Sequence, residues 1–362
     1  MTDQHPSPDS SADSKAVLRI LPLGQQWPTL DPFLFCVYHN DAYPPANADM
    51  SPNCSLAGRD VGQDFSGQDG WSLYHGRTVP GFPAHPHRGF ETVTVARTGL
   101  IDHSDSLGAT ARFGQGDVQW LTAGKGIVHA EMFPLLNTQA ANPLELFQIW
   151  LNLPAASKMV EPHFTMFWAD DIPRLAVLDA NGLATQVSVI AGQLTDANRH
   201  ARDDQAVQAL SPPPDSWAAQ AQSDVAIWTL RMPPQARFTL PAAQAGTRRN
   251  LYFFKGQSIR VGDQEVPHHG AIELRGDVAV DLINGDQEAE FLLLQGQPIA
   301  EPVAQYGPFV MNTQAEIRQT IADYQRTQFG GWPWADPAPT HGRDPARVAT
   351  HPGGRVEAPS SI

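Results

Sequence analysis

Cysteine is nearly absent from this chain: Cys36 and Cys54 are its only two, and neither stands in a CxxC or similar spacing. That excludes a disulfide-stapled scaffold and a thiolate metal site, and it fits a reducing compartment with free thiols. Basic residues are also scarce, 24 Lys and Arg against 38 Asp and Glu, for a formal charge of −14. Such a balance opposes a sequence-independent grip on a phosphate backbone, so no direct nucleic-acid partner is expected. No apolar run approaches the ~20 residues that a bilayer-spanning helix needs. The opening Met1-Thr2-Asp3-Gln4-His5 lacks a basic segment followed by an apolar one, unlike a secretory signal. The expectation is a cytoplasmic protein without a membrane partner.

Short apolar runs separated by Gly, Pro, Asn and Asp fill the chain, the pattern of an all-β fold. Between Leu146 and Leu153 the residues Phe147, Ile149, Leu151 and Leu153 alternate with Gln148 and Asn152, a period of two. One helix is predicted near the C-terminal end, where Thr313 and Glu316 form a capping box and Ile317, Ile321 and Tyr324 share a face. Its expected role is to cover the end of a barrel. The length suggests two domains. The expected division is a disordered tail at 1–16, a first barrel over 17–170 with an insertion at 37–70, a second barrel over 171–305, a helical extension over 306–334 and a disordered tail over 335–362. Residues 191–224, with Pro212-Pro213-Pro214, read as irregular structure.

Chemistry concentrates in two matched pairs. His85-Pro86-His87 and, 42 positions past His87, His129-Ala130-Glu131 each place two donors at i and i+2. Side chains two apart on a strand share a face, so each pair aims at one point inside a barrel. Three imidazoles and a carboxylate suit one divalent transition ion, with Fe, Ni, Cu, Mn and Zn all compatible, and leave positions open for water or substrate. Glu131 has two candidate roles, structural ligand or acceptor of a substrate proton. Gly89, Gly124 and Gly126 predict close backbone approach near the site, and Lys125 reads as solvated. Trp71, Phe90, Trp120, Met132 and Phe133 are candidates to line a pocket for a flat aromatic molecule, although each also suits a core. The remaining histidines are set aside: His5, His341 and His351 as tail residues, His268 and His269 as exposed loop, His103 as part of a hairpin turn, and His39, His75, His163 and His200 for want of a matched partner.

Gly116-Asp117-Val118 recurs as Gly276-Asp277-Val278, which suggests two copies of one barrel unit. Counting from Asp277 as His129 and Glu131 lie from Asp117 lands on Ala289 and Phe291, so the second barrel is expected to hold no metal.

The stretches Gly81-Phe82-Pro83-Ala84-His85-Pro86-His87-Arg88-Gly89-Phe90-Glu91-Thr92-Val93-Thr94 and Gly116 to Met132 resemble the pirin family of bicupins. The resemblance runs from about Leu18 to Phe329. It implies two cupin (jelly-roll-type) barrels in tandem, with a metal, usually iron as Fe(II), in the first alone, held by His85, His87, His129 and Glu131. It also implies either quercetinase-type dioxygenase activity on a flavonol and dioxygen, or a regulatory role as a metal- and redox-dependent partner of a transcription factor or metabolic enzyme. An oxygenase or isomerase for another small substrate is a third reading. Residues from about Val37 to Gly70 depart from compact relatives and are expected to form a lid or a surface loop, and a lid would narrow the pocket against quercetin-sized molecules.

Overall fold

The computed structural model describes residues 15–194 and 206–360. The expected N-terminal tail therefore lies, through position 14, outside the described residues, as do His5 and His200. Strands dominate, and they divide between two compact units. No helix among the described residues is long and apolar enough to cross a membrane.

One unit contains the described residues of Met1–Leu23, Arg174–Gln208 and Asp224–Pro298. Its seven-stranded sheet runs in the order Val17–Leu21, Gly270–Leu274, Arg248–Lys255, Ala289–Gly296, Ala226–Met232, Ala184–Ala191, Arg174–Leu178, and the unit also has a four-stranded sheet and the short pair Gln193–Leu194 with Val207–Gln208, which lies in the stretch expected to be irregular. Val17–Leu21 is the edge of this sheet, with Ile20 opposite Ile272. The first barrel thus does not start at residue 17: pairing with Gly270–Leu274 places this strand in the other unit. Ala289 and Phe291 are buried apolar positions of a central strand.

The other unit comprises Gly24–Pro173, Ala209–Ser223 and Ile299–Ile362. A five-stranded sheet runs His163–Phe167, Val118–Thr122, Phe90–Thr98, Asn142–Asn152, Phe33–Tyr43. A six-stranded sheet runs Val356–Glu357, Val348–Thr350, Thr110–Gly114, Leu100–Asp105, Ile127–Met132, Gly81–His87. The alternation in Asn142–Asn152 explains its place. Phe147, Ile149 and Leu151 are fully buried on one face, each contributing about 2 kcal/mol of apolar burial. Leu146, Gln148 and Trp150 on the other face line a cavity.

The region expected as an insertion from Val37 begins as regular strand. Phe33–Tyr43 pairs with Asn142–Asn152 over its whole length because its alternate residues fit the same two faces. The loop after it is knitted around a buried guanidinium. Arg59 lies over the Trp71 ring at 3.3 Å and donates to Asp64 Oδ2 at 2.8 Å and to the Trp71 carbonyl at 2.9 Å. Burial alone would raise the Asp64 carboxyl, but donors on Ser66, Leu73 and Arg59 outweigh it and hold the pKa at about 2.

The helix Gln314–Thr327 carries the expected capping box, and Ile317, Ile321 and Tyr324 pack with Phe309 and Phe329. The segment expected to be a disordered tail from 335 is ordered through residue 360. Val348–Thr350 adds to the edge of Thr110–Gly114, which would otherwise offer unpaired backbone groups. Arg112, buried against Asp102, donates to the carbonyls of Gly342 and Asp344, while Arg347 reaches Asp117 at 2.6 Å. Truncation after Trp334 strips these contacts and should cost about 3 kcal/mol, lowering the thermal midpoint by about 10 °C. An unchanged melting curve would show that the tail contributes nothing.

Glu91 is wholly buried and accepts from Thr122 Oγ1 at 2.8 Å and Ser216 Oγ at 2.5 Å. Burial, opposed by these donors, raises its carboxyl from 4.5 to about 7. A folded-state pKa raised above the unfolded one means that stability present below pH 4.5 is lost as pH rises toward 7. Glu91→Gln, neutral at every pH, should melt with the wild type near pH 3.5 and above it at pH 8. Parallel melting curves at both values would contradict this.

Candidate metal centre

The two histidine-bearing segments are neighbours in the six-stranded sheet. His85 stands directly opposite His129, Pro86 opposite Val128 and His87 opposite Ile127. A register shift between Phe82 and His85 kinks the first strand. A bulge of this kind re-aims side chains, and here it turns the His85–His87 pair toward His129. One ring nitrogen of each histidine lies within 4.8 Å of the others, close enough for the three to hold one metal ion. Their ring centroids are 4.5 to 4.8 Å apart.

The nitrogens are placed where they could serve as ligands. His87 Nδ1 and both nitrogens of His129 are buried without a hydrogen-bond partner, an expensive arrangement that a bound ion would relieve at one nitrogen of a ring. The Nδ1–H of His85 donates to the Pro83 carbonyl at 2.9 Å, which leaves Nε2 as the lone-pair nitrogen. Burial lowers His85 to about 4 and pushes His87 and His129 well below their ordinary value, so all three are neutral donors. These residues fit a borderline divalent ion.

Glu131 adjoins the cluster, its Oε2 3.8 Å from His129 Nε2. Burial raises its carboxyl, against the lowering effect of His103, Thr94 and Gln148. Gln148 Nε2 donates to Oε2 at 2.9 Å, and the Thr94 hydroxyl lies 3.2 Å from Oε1. Neither Thr94 nor Gln148 was singled out from the sequence. The available signal was the polar face of an otherwise apolar alternating strand, which is where Gln148 stands.

His103 corrects the sequence reading. It lies in the strand Leu100–Asp105, fully buried, opposite Glu131 in register and 5.5 Å ring to ring from His129. Its Nε2 is 3.2 Å from Asp105 Oδ2, while Oδ1 of the same carboxylate caps the turn through Leu107 N and Ala109 N. The turn chemistry is therefore Asp105's, and His103 backs the cluster. His341 and His351 are likewise packed, bonded to Ser104 and Glu357. His268 and His269 are exposed. Lys125 pairs with Glu161 on the surface.

The glycines serve close approach as expected. A Cβ on Gly89 would meet the Val310 carbonyl at 1.9 Å, and one on Gly126, at φ 132°, would meet the Phe329 ring. Arg88, beside His87, donates to the Lys125 carbonyl at 2.6 Å and to Asp323 at 3.0 Å and lies 4.4 Å over Phe329, fixing the helix to the turn that follows His87.

His85, His87 and Glu131 line a cavity of about 1520 Å³. Of the five aromatic and apolar candidates, Trp71 and Phe133 line it, whereas Phe90, Trp120 and Met132 are fully buried in the core. Phe35, Tyr74, Phe82 and Trp150 were not anticipated and do line it. His39 and His75, set aside in the sequence for want of partners, are also in its wall. The loop after Tyr43 supplies Phe65, Trp71 and Tyr74, yet leaves a volume above the roughly 300–1,000 Å³ of ordinary small-molecule pockets.

Comparison with known proteins agrees with this architecture. The family model described as Pirin matches residues 16–151, and that described as Pirin C-terminal cupin domain matches 227–330. A pirin-like protein of Caulobacter vibrioides is 38% identical over 253 residues, 69% of this chain and 80% of its own length. Human pirin is 32% identical over 264 residues, 71% and 80% of the two chains. A crystal structure of quercetin 2,3-dioxygenase from Acinetobacter baumannii superposes with a TM-score of 0.62 at 28% identity, covering 87% of this chain and 96% of the other. With two tandem cupin barrels, both family regions and relatives at this level of identity, the chain belongs to the pirin family of cupins.

Proposed function

We propose that this pirin is a metal-dependent dioxygenase of the quercetin 2,3-dioxygenase type, which opens a flavonol with dioxygen to give a depside and carbon monoxide. The observation that carries the reading is the juxtaposition of three neutral imidazoles, two of them buried, and one carboxylate with a large cavity walled by aromatic rings. The likeness to the Acinetobacter baumannii quercetin 2,3-dioxygenase supports the reaction class. A cavity of this size and lining suits a small-molecule ligand.

In this reading His85, His87, His129 and Glu131 hold one divalent ion, Fe(II) ahead of Ni, Cu, Mn or Zn. When bound, the ion supplies Lewis acidity toward an enolic oxygen and a route for electrons to dioxygen. The chain's own residues do the rest. Glu131, its carboxyl raised by burial, accepts the proton of the flavonol 3-hydroxyl. Gln148 and Thr94 fix the carboxylate for that transfer through the contacts described above. Aromatic rings in the cavity wall, Phe82 and Trp150 among them, offer contacts for a flat molecule.

Two measurements test this. Metal analysis of protein from its own host should give about one transition-metal ion per chain, with His85→Ala and His129→Ala each retaining under a tenth. Full metal content in both variants would remove the site. Aerobic loss of quercetin absorbance should be catalysed by iron-loaded wild type and slowed about 10²–10⁴-fold by Glu131→Ala, with a smaller loss in Gln148→Leu. No turnover by the wild type, or undiminished turnover by Glu131→Ala, would overturn the dioxygenase assignment.

A further inference from the structure

A second polar station stands on the cavity wall, and the metal chemistry does not use it. His39 lies on Phe33–Tyr43, where the register sets Phe35 against Trp150, Val37 against Gln148 and His39 against Leu146. It is therefore one same-face step, about 7 Å along the strand, from the position that faces Gln148 and its partner Glu131. His39 Nδ1 is 2.8 Å from the Tyr74 hydroxyl, which in turn donates to Asp41 Oδ2 at 2.8 Å. Asp41 Oδ1 accepts from the Ser72 amide at 2.9 Å.

This chain fixes the protons. Burial raises the Asp41 carboxyl to about 6, which leaves it ionised at neutral pH and an acceptor only. Tyr74 has one hydrogen and gives it to Asp41, so its oxygen accepts from Nδ1–H of His39. Nε2 then carries the lone pair. That atom has no protein partner among the described residues and is open to the cavity that His39 lines. Burial lowers His39 to about 4, which keeps the ring neutral.

Between His39 and the histidine cluster lies Phe82. Its ring centroid is 5.9 Å from that of His39, 6.3 Å from that of His85 and 5.1 Å, stacked, from that of Tyr74. A flat aromatic molecule anchored at the cluster and lying along Phe82 reaches His39 with its far end.

We propose that His39, oriented by Tyr74 and Asp41, is a specificity-determining acceptor for a phenolic hydroxyl remote from the metal-bound oxygen. Polyhydroxylated flavonols are then preferred over flavonols that carry the chelating oxygens alone. The naming of flavonols rests on the proposed function, whereas the acceptor itself rests on the His39–Tyr74–Asp41 geometry.

The test uses the metal-loaded full chain without oxygen, reading tryptophan quenching by quercetin and by 3-hydroxyflavone, which lacks the distal hydroxyls. The wild type should bind quercetin about tenfold more tightly, the worth of one neutral hydrogen bond. His39→Phe should raise the quercetin Kd about tenfold and move that of 3-hydroxyflavone less than twofold. His39→Leu carries the same expectation if the larger ring prevents folding. His39→Gln, which keeps an acceptor, should restore part of the preference, and Tyr74→Phe, which frees the tautomer, should lose part of it. Equal weakening of both ligands, or unchanged quercetin binding, overturns the proposal. If neither flavonol binds the wild type, the flavonol reading fails, and ¹⁵N resonances of His39 decide the acceptor. A shift of Nε2 on adding phenol supports it, and an unmoved Nε2 refutes it.

Discussion

The cross-strand register that sets His85 opposite His129 is the constraint on which the rest of the centre depends. Antiparallel pairing fixes which residues face each other, and a one-residue slip would send every donor to the far face of the sheet. The irregularity after Phe82 adds what pairing alone does not, a turn of the His85–His87 pair toward the third imidazole. Gly89, whose missing Cβ leaves room for the Val310 carbonyl, and Arg88, tied to the helix Gln314–Thr327, anchor the turn that follows His87.

Around that register the structure tolerates arrangements that would otherwise be costly. Unpartnered nitrogens on His87 and His129 are buried, and a carboxylate is buried beside them. Burial makes the imidazoles neutral donors and makes Glu131 a better base than a surface carboxylate, so one environment prepares both kinds of group. The same logic recurs at the other end of the cavity, where burial keeps His39 neutral while Tyr74 and Asp41 orient it. A strand face polar in an apolar run, Gln148 between Phe147 and Ile149, connects the two regions.

The strands, the capping box at Thr313 and the same-face pairing of residues 85 with 87 and 129 with 131 were legible because each depends on a local period: two for strands, three for the cap. What escaped depends on contacts distant in sequence. His39 looked solitary since its partner Tyr74 lies 35 residues away in a loop whose course no periodicity describes. His103 was absorbed into a turn signal that belongs to Asp105. The tail after Trp334 has the composition of disorder, yet it is ordered by an open sheet edge and by Arg112, neither of which is visible in its own residues. Val17–Leu21 was assigned to the nearer barrel by proximity, but hydrogen-bonding register takes it to Gly270–Leu274.

The unit with the candidate metal centre draws on Gly24–Pro173 and then again on residues from Ile299 onward, after nearly all of the other unit has passed. During synthesis its ligand-bearing strands exist well before the helix that grips Arg88 and the strand that seals Thr110–Gly114. At the N-terminal-first pace of translation, about 5–20 residues per second, these strands wait roughly ten to forty seconds as an unsealed sheet. The four candidate ligands are then held less firmly than in the finished fold, so the geometry of the histidine cluster is completed late, on release of the distal segment, rather than with the making of the strands that bear it.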